Sequence, residues 1–381
     1  MTVALVAYYL GPRLGIGNYL NRLLPPLTKA LDQQGIDFKI LASPNAFEKT
    51  PVLQRLSDAV KVVPELDNSP GKRYWWLATQ FRQYCQRLGL NLVVWLSNPV
   101  VLPWHLPSIA VLHDVNEWKA KEKYGSRLQT ALRSLIYLDA SIWFAKKVIA
   151  VSSATESDLI SFRPNIRPKL VAISNGADSS LTELPPCEIS TDTRPFILSV
   201  GRIDPAAKRL PEALELVQRL REESQQPWEI HFVGGMNSST QAEGEAFLET
   251  LTKRAWAHYQ GHVDDAVLAQ WYRQAAATVF LSDSEGFGCP IAESASFNKW
   301  VIVNRKNQAA LEIGKGAIIP ISTENLAAAA TEVLAQLTSK ESPKVNQSLP
   351  TWQVSAAAYA ANIATVLSDE VPTRRQKVLS L

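Results

Sequence analysis

Two carboxylates in one short stretch have the type and spacing that suit ligand binding. Glu285 and Glu293 are separated by seven residues in the segment 284–293, which reads SEGFGCPIAE. At this spacing the two side chains can border one pocket without crowding each other, and carboxylate oxygens accept hydrogen bonds from sugar or ribose hydroxyls. The pattern alone fits a surface loop with two solvated glutamates equally well, so the rest of the chain must decide.

The residues around the two glutamates predict a strand, a tight loop and then a helix. An apolar run precedes the loop, and Pro290 suits the first helical position because proline has no N–H to lose. Gly286 and Gly288 let the backbone approach a ligand closely, with Phe287 and Cys289 beside them. The free N–H groups at the start of the helix favour an anion in the same space.

Two cations follow the first predicted strand of the second half, Phe196–Val200. Gly201 follows this strand directly, and Arg202 and Lys208 lie on the loop before a predicted helix at 211–222. Two cations beside a helix N-terminus can neutralise a diphosphate without a metal ion. Solvated loop cations have the same spacing, so both interpretations stay open.

His113 and Asp114 follow a predicted strand, Ile109–Leu112. Ligands of open α/β sheets bind at the carboxyl ends of the strands, so this position favours a binding role. A lone histidine is more often a structural residue, and the position by itself does not exclude that.

Gly15 and Gly17 lie between the first predicted strand and a predicted helix that begins at Tyr19. Such glycines can let backbone amides approach a phosphate or a sugar, or they can simply form a tight turn. A dinucleotide fingerprint needs a third glycine, but residue 20 is leucine, and no acidic residue ends the next predicted strand.

Composition sets the broad class of the protein. The 381 residues are 46% hydrophobic and 20% charged with a net charge of +3, which predicts two ordinary globular domains and no overall affinity for nucleic acid. The three cysteines, Cys85, Cys187 and Cys289, lack the spacing of a disulfide framework or of a structural zinc site, so we expect neither and a reducing cytoplasm. The N-terminal apolar stretch predicts a buried strand rather than a signal peptide.

A basic and aromatic segment, Lys72–Tyr84, offers a second surface of interest. It fits a helix lying on an anionic membrane, and further basic residues at 119–123 and 127–133 support that interpretation. It also fits an amphipathic helix with its aromatic residues in the core.

Apolar runs alternate with helical segments through both halves of the chain. This pattern predicts an α/β protein with two mostly parallel sheets. The predicted organisation is an N-terminal domain at 1–180, a linker at 181–194, a second domain at 195–350, a helix at 351–368 and a polar tail at 369–381.

Together these residues resemble the retaining glycosyltransferases of family four, also called glycosyl transferases group one, which have the GT-B fold. The glutamate pair carries the most specific part of the resemblance, and the other matches fall in the family's order. These supporting matches are Gly15–Gly17, His113-Asp114, Val151-Ser152, Ser174–Asp178, Val200–Arg202 with Lys208, Gly261–Val263 and Thr351-Trp352.

The resemblance implies two Rossmann-like domains facing across a cleft, with the last helix crossing back to the first domain. The second domain would bind the donor. Arg202 and Lys208 would hold its diphosphate, Glu293 its ribose and Glu285 the hydroxyls of its sugar. The amides of Gly286–Cys289 would contact sugar or phosphate. Arg209, where the family has asparagine or glycine, would substitute for Lys208 or assist it.

For the first domain, the resemblance implies that His113 faces the transferred sugar and that the Gly15–Gly17 loop lies beside the phosphates and the acceptor. The expected reaction is metal-independent transfer of a hexosyl group, with retention, from GDP-mannose or a UDP-hexose to a saccharide or lipid-linked acceptor. The product would be a surface polysaccharide or glycolipid, formed in the cytoplasm or at the inner membrane face.

Two other classes remain open. One is a catalytically silent GT-B protein that binds a nucleotide sugar, and the other is an NAD-dependent oxidoreductase suggested by the Gly15–Gly17 stretch.

Overall fold

The computed structural model describes residues 1–8, 14–119, 131, 134–189, 194–236, 240–344 and 347–370. Within these residues the chain forms two compact units, one of residues 1–176 with the C-terminal segment from 351 onward, the other of residues 177–350.

The first unit is built on a parallel sheet in the order β3-β2-β1-β4-β5-β6-β7. Most of its strands are short apolar runs that are buried, as expected where helices cover both faces of a parallel sheet. The strands are β1 Thr2–Ala7, β2 Asp37–Ala42, β3 Val60–Val62, β4 Leu90–Trp95, β5 Ser108–Leu112, β6 Lys147–Ala150 and β7 Leu170–Ala172.

The second unit has a parallel sheet in the order β10-β9-β8-β11-β12-β13. Strand order therefore reverses between β8 and β11, which is where open α/β sheets leave a ligand crevice at the carboxyl ends of the strands. Its strands are β8 Phe196–Val200, β9 Glu229–Val233, β10 Ala257–Gly261, β11 Ala277–Phe280, β12 Trp300–Asn304 and β13 Ile318–Ile321.

Helices connect the strands in both units. Those of the first unit before its last helix are α1 Leu14–Gln33, α2 Pro44–Lys49, α3 Pro51–Arg55, α4 Pro70–Thr79, α5 Phe81–Arg87, α6 Asn116–Lys119, α7 Ala140–Phe144 and α8 Ser153–Phe162, with a π-helical turn Leu135–Asp139 and short 3-10 helices at Ser57–Ala59, Pro64–Asp67 and Pro164–Lys169. Those of the second unit are α9 Pro205–Lys208, α10 Leu210–Ser224, α11 Gln241–Leu251, α12 Asp265–Gln274, α13 Cys289–Ser296, α14 Gln308–Ile313 and α15 Leu326–Thr338, with a 3-10 helix at Ser180–Glu183.

The last helix, α16 Trp352–Asp369, belongs to the first unit, as the resemblance implies. It packs along α1, where the hydroxyl groups of Tyr19 and Tyr359 are 3.0 Å apart. At its start, Thr351 caps the helix, and Trp352 packs so closely on Gly176 that a Cβ added to this glycine would lie 2.4 Å from the indole. The small residues of α16 and the glycine permit this close packing.

Three details differ from the sequence-based expectations. Helix α1 begins at Leu14 rather than Tyr19, so Gly15 and Gly17 lie in its first turn and not in a loop. The segment Lys72–Tyr84 is two helices that meet at Gln80.

The third difference concerns the predicted linker at 181–194. The boundary between the units lies after residue 176, and Leu181 is buried against the second unit together with the partly buried Leu184. Apolar side chains thus fix the start of this otherwise polar segment. Most of the basic residues at 119–133, and the tail from 371, lie outside the described residues.

Helices of the described residues do not combine the length and apolarity that crossing a bilayer requires.

Candidate active site

A small pocket lies at the point where strand order reverses in the second sheet. Its walls come from the carboxyl ends of β8 and β11 and include Gly201, Arg202, Lys208 and Phe280. The loops after these two strands therefore bring together residues that are far apart in the sequence. Polar and cationic groups at this position can bind an anionic ligand.

The loop after β8 is held by backbone contacts. Gly201 has φ 148°, in the region that favours glycine, and its N–H donates to Val233 O at 2.9 Å. Gly234, at the end of β9, lies so close that an added Cβ would be 1.9 Å from Gly201 O. Ile203 N then donates to Gly235 O at 2.9 Å. Two glycine-containing strand ends thus pack against each other and fix the position of Arg202.

Arg202 is oriented by an acidic neighbour. Its Nη2 donates to Asp204 Oδ2 at 2.8 Å, and the other oxygen of Asp204 caps α9 by accepting from Ala207 N at 3.1 Å. The side chain of Arg202 is 39% exposed, whereas its buried Nε has no hydrogen-bond partner among the described residues. The guanidinium is therefore fixed at one end and accessible at the other.

Lys208, the last residue of the short helix α9, forms an ion pair with Glu285 on the loop after β11. Each side chain is only 20% exposed, and the ammonium group lies 4.9 Å from the centre of the Phe280 ring. The aromatic face favours a cation at this place. The ammonium group of Lys208 thus lies at the pocket wall between a carboxylate and an aromatic ring.

Arg209 does not share this arrangement. It adopts a left-handed conformation with φ 49°, and its guanidinium forms two hydrogen bonds to Asp283 and one to Glu212. The hydrogen bond to Asp283 is the main cause that raises the pKa of Arg209 above its usual value, and a bond to Glu212 adds to it. Its charge is balanced by two carboxylates, so the assisting role expected for Arg209 has no support in these contacts.

Glu293 is buried, with 3% exposure, on α13. Its Oε2 accepts a hydrogen bond from Tyr272 at 3.0 Å, and Phe297 stacks on Tyr272 with ring centres 5.4 Å apart. The two glutamates thus differ in environment, because Glu285 is partly exposed and pairs with Lys208 of the pocket wall, whereas Glu293 is held in the protein interior.

The glycine loop between the glutamates is a tight entry into α13. Gly288 has φ 91° and precedes the helix, which begins at Cys289, one residue before Pro290. A side chain at Gly288 would also meet Ile291 at 2.9 Å. The ring of Phe287 is buried, so at this residue only the backbone is available to a ligand.

In the first unit, His113 lies at the carboxyl end of β5. Its Nε2 and Leu96 O are 2.9 Å apart, so in the neutral ring Nε2 carries the hydrogen and donates. The edge of Tyr19 packs on the imidazole with ring centres 4.6 Å apart, and Tyr19 in turn contacts Tyr359 of α16. The last helix therefore supports the histidine through one aromatic side chain.

Gly15, also in the first unit, is exposed, and a Cβ added there would meet no atom within 4 Å. Close backbone packing within the described structure therefore does not require glycine at this position. Residues 9–13, which precede it, lie outside the described residues.

Sequence reasoning missed several residues that position the site. Three of them contact predicted site residues directly: Asp204 contacts Arg202, Tyr272 contacts Glu293, and Phe280 contacts Lys208. The fourth, Gly234, packs against the loop that carries Arg202. Asp204 precedes Pro205, which is a typical helix start and a usable signal. The other three have no local signal, since each acts on a residue from another loop or helix.

Two families match the chain, and together they span most of it. The family described as Glycosyl transferases group 1 matches residues 184–347, and Glycosyltransferase Family 4 matches residues 21–181. The chain belongs to the group 1 glycosyltransferases. No curated protein sequence matches it.

Solved structures share the fold at low sequence identity. Sucrose-phosphate synthase from Thermosynechococcus elongatus is similar over 97% of this chain and 100% of its own, with TM-score 0.69 and 18% identity. HepE from Anabaena, solved with UDP-glucose, is similar over 97% of this chain and 98% of its own, with TM-score 0.64 and 16% identity. UDP-GlcNAc 2-epimerase from Methanocaldococcus jannaschii is similar over 96% of this chain and 99% of its own, with TM-score 0.57 and 13% identity. These similarities show the GT-B fold, which hosts more than one activity.

Proposed function

We propose that this protein transfers a hexosyl group from a nucleoside diphosphate hexose to an acceptor hydroxyl, with retention at the anomeric carbon. The observation that carries the proposal is the ion pair of Lys208 and Glu285 beside Arg202, at the crevice of the second sheet. This arrangement offers cations for a diphosphate and a carboxylate for sugar hydroxyls in one small region.

The two cations address the charge that develops during the reaction. As the bond between the anomeric carbon and the phosphate oxygen breaks, its electron pair moves to the diphosphate. Arg202 and Lys208 stabilise this negative charge, as a divalent metal ion does in other transferases. The acceptor oxygen then forms the new bond on the same face, and its proton passes to the departing phosphate oxygen. We therefore propose a metal-independent reaction.

The remaining assignments follow from the family resemblance and from the local contacts. Glu285 would accept hydrogen bonds from the donor sugar, Glu293 would bind the ribose, and the amides at Gly286 and Gly288 would face sugar or phosphate. His113 would contact the transferred sugar. Its Nε2 is engaged by Leu96 O, which fixes the ring orientation that such a contact needs.

The donor is GDP-mannose or a UDP-hexose in this proposal. The complex of HepE with UDP-glucose makes UDP-glucose the first compound to test. For the acceptor we propose a saccharide or lipid-linked saccharide. Two tryptophans support a membrane-proximal acceptor. Trp75 is 60% exposed, and Trp104 is joined to the same helical segment by hydrogen bonds, since its indole N–H donates to Ala78 O and its carbonyl accepts from Arg82.

Calorimetric titration with UDP, GDP, ADP, their hexose conjugates and NAD tests the donor assignment. We expect one nucleoside diphosphate to bind, and Arg202→Ala and Lys208→Ala each to weaken its affinity at least tenfold. Arg219→Ala and Lys253→Ala are matched controls on exposed helix and turn positions, and both should bind like the wild type. Binding of NAD alone would contradict the proposal and favour the oxidoreductase class.

Turnover separates the enzyme from a silent binder. Release of the nucleoside diphosphate from the donor that binds, with and without simple glycoside acceptors, should be measurable and lost in the two cation variants. The stereochemistry of the product, read by NMR of its anomeric proton, tests retention. Donor binding without turnover on any acceptor would favour a catalytically silent protein.

A further inference from the structure

A group of polar side chains lies at the opposite end of the second sheet from the pocket. Glu229 is the first residue of β9, His231 follows on the same face, and His258 of β10 is paired in register with His231. At ~3.3 Å per residue, Glu229 is roughly 13 Å from the carboxyl end of β9. This group is therefore separate from the candidate active site.

The three side chains converge, and His231 and Glu229 are joined by a long hydrogen bond. His231 Nε2 lies 3.4 Å from Glu229 Oε2, and His258 Nε2 lies 3.7 Å from Glu229 Oε1. Nitrogen and oxygen atoms bound to one tetrahedral Zn²⁺ at ~2.0–2.1 Å are about 3.3 Å apart, which is close to the distance between Nε2 of His231 and Oε2 of Glu229. One ligand atom from each residue lies within 4.8 Å of the others.

We propose that Glu229, His231 and His258 form a Zn²⁺ site. Two imidazoles and one carboxylate are a zinc ligand set that leaves a fourth position for water. Glu229 and His231 are buried and His258 is about one-third exposed, so the metal can enter from the His258 side.

The surroundings hold the ligands in place. Nε2 of Gln260 lies 3.0 Å from Nδ1 of His231 and donates to it in this orientation of the amide. With the amide turned by 180°, its oxygen accepts the hydrogen of Nδ1, and Nε2 of His231 is then available to a metal. Trp271 packs on the His231 ring with centres 4.6 Å apart.

Arg194 balances the carboxylate on its other side. Its Nη1 lies 2.8 Å from Oε1 of Glu229, yet this buried oxygen accepts no hydrogen bond among the described residues. With Oε1 facing the guanidinium, Oε2 is the oxygen that would bind zinc.

The test uses the whole protein, stripped with a chelator and exchanged into metal-free buffer. After addition of Zn²⁺ and gel filtration, we expect one equivalent of zinc per chain by elemental analysis and a higher melting temperature. Co²⁺ in place of Zn²⁺ should give the intense visible absorption of a tetrahedral site. Zinc retention below a tenth of an equivalent would overturn the proposal.

Variants identify the ligands. His258→Gln and Glu229→Gln should each lower Zn²⁺ affinity at least tenfold and abolish the Co²⁺ spectrum, and Gln260→Ala should lower the affinity about tenfold through misorientation of His231. His258 is partly exposed, so its variant should fold even if Glu229→Gln does not. His262→Ala, an exposed histidine of the same unit, is the matched control and should bind like the wild type. Equal loss in His262→Ala would mean adventitious surface binding.

Discussion

Lys208 and Glu285 form an ion pair although 77 positions separate them in the sequence. The contact joins α9, which follows β8, to the loop after β11, and the ring of Phe280 lies beside it. Because the cation already has a carboxylate partner, a diphosphate must compete with Glu285 for it or share it. This relationship leads to the first prediction.

Lys208→Ala should weaken binding of the free nucleoside diphosphate by about 10- to 100-fold, since a charged hydrogen bond contributes about 1.5–3 kcal/mol and the unpaired Glu285 then repels the phosphates. Adding Glu285→Gln to this variant should restore part of the affinity. Calorimetry on the wild type, both single variants and the double variant gives the coupling energy directly. Strictly additive effects would show that the pair does not act at the ligand site.

Glu293→Ala should raise the donor Kd more than tenfold and change kcat little, because the proposed ribose contact is made in ground and transition states alike. Tyr272→Phe keeps the carboxylate and removes one donor to it, so its effect on Kd should be smaller. Urea unfolding of both variants shows whether lost binding reflects lost folding. An unchanged Kd in Glu293→Ala would remove this residue from the site.

His113→Ala should lower kcat about 100-fold while the donor Kd changes less than threefold, which distinguishes a contact to the reacting sugar from simple donor binding. Tyr19→Phe is the control, because it keeps the aromatic edge against the imidazole and loses only the hydroxyl contact to Tyr359. Its kcat should equal that of the wild type. Single-turnover kinetics measures both, and equal losses in the two variants would indicate a packing effect instead.

Gly234→Ala should destabilise the second unit by about 3 kcal/mol or more, because the new Cβ would lie 1.9 Å from Gly201 O at a φ of 144°. Gly235→Ala is the matched neighbour, where an added Cβ meets no atom within 4 Å. Its cost should be below about 1 kcal/mol. Denaturant unfolding compares the two, and similar stabilities would show that the loop after β8 adapts to a side chain.

Cys289 should react with a maleimide more slowly when the donor is bound, since it begins α13 beside the proposed sugar site. Cys187 lies elsewhere in the same unit and provides an internal reference whose rate should not change. Cys85 should stay unmodified in the folded protein at pH 8, because burial raises its pKa to about 12. Peptide mass spectrometry after short labelling reads all three, and an unprotected Cys289 would place the donor away from this loop.

The alternation of strands and helices could be predicted from the sequence because strands buried on both faces appear as short apolar runs. Val3 to Ala7 and Ile197 to Leu198 are examples, and each lies in a central strand. The boundaries were harder to predict. Helix α1 begins at Leu14, five residues before Tyr19, and its first turn includes Gly15 and Gly17, which we had expected in a loop.

The candidate site residues could also be named in advance, since each lies shortly after a strand: His113, Arg202 and Glu285 on the loops, and Lys208 and Glu293 on the helices that follow. Their environments could not. The spacing of the glutamates suggested two similar carboxylates at one pocket, whereas only the fold buries Glu293 against Tyr272 and leaves Glu285 to pair with Lys208.

The sequence by itself determined the fold class, the family and the residue types available at the strand ends, because periodicity and motif spacing are local properties of the chain. Only the tertiary structure decided which of these residues meet. The order of strands brings β8 beside β11 and β9 beside β10. The first adjacency forms the Lys208–Glu285 pair, and the second forms the Glu229, His231 and His258 cluster. Contacts between distant segments follow from the packing of whole elements, for which no single segment carries the information.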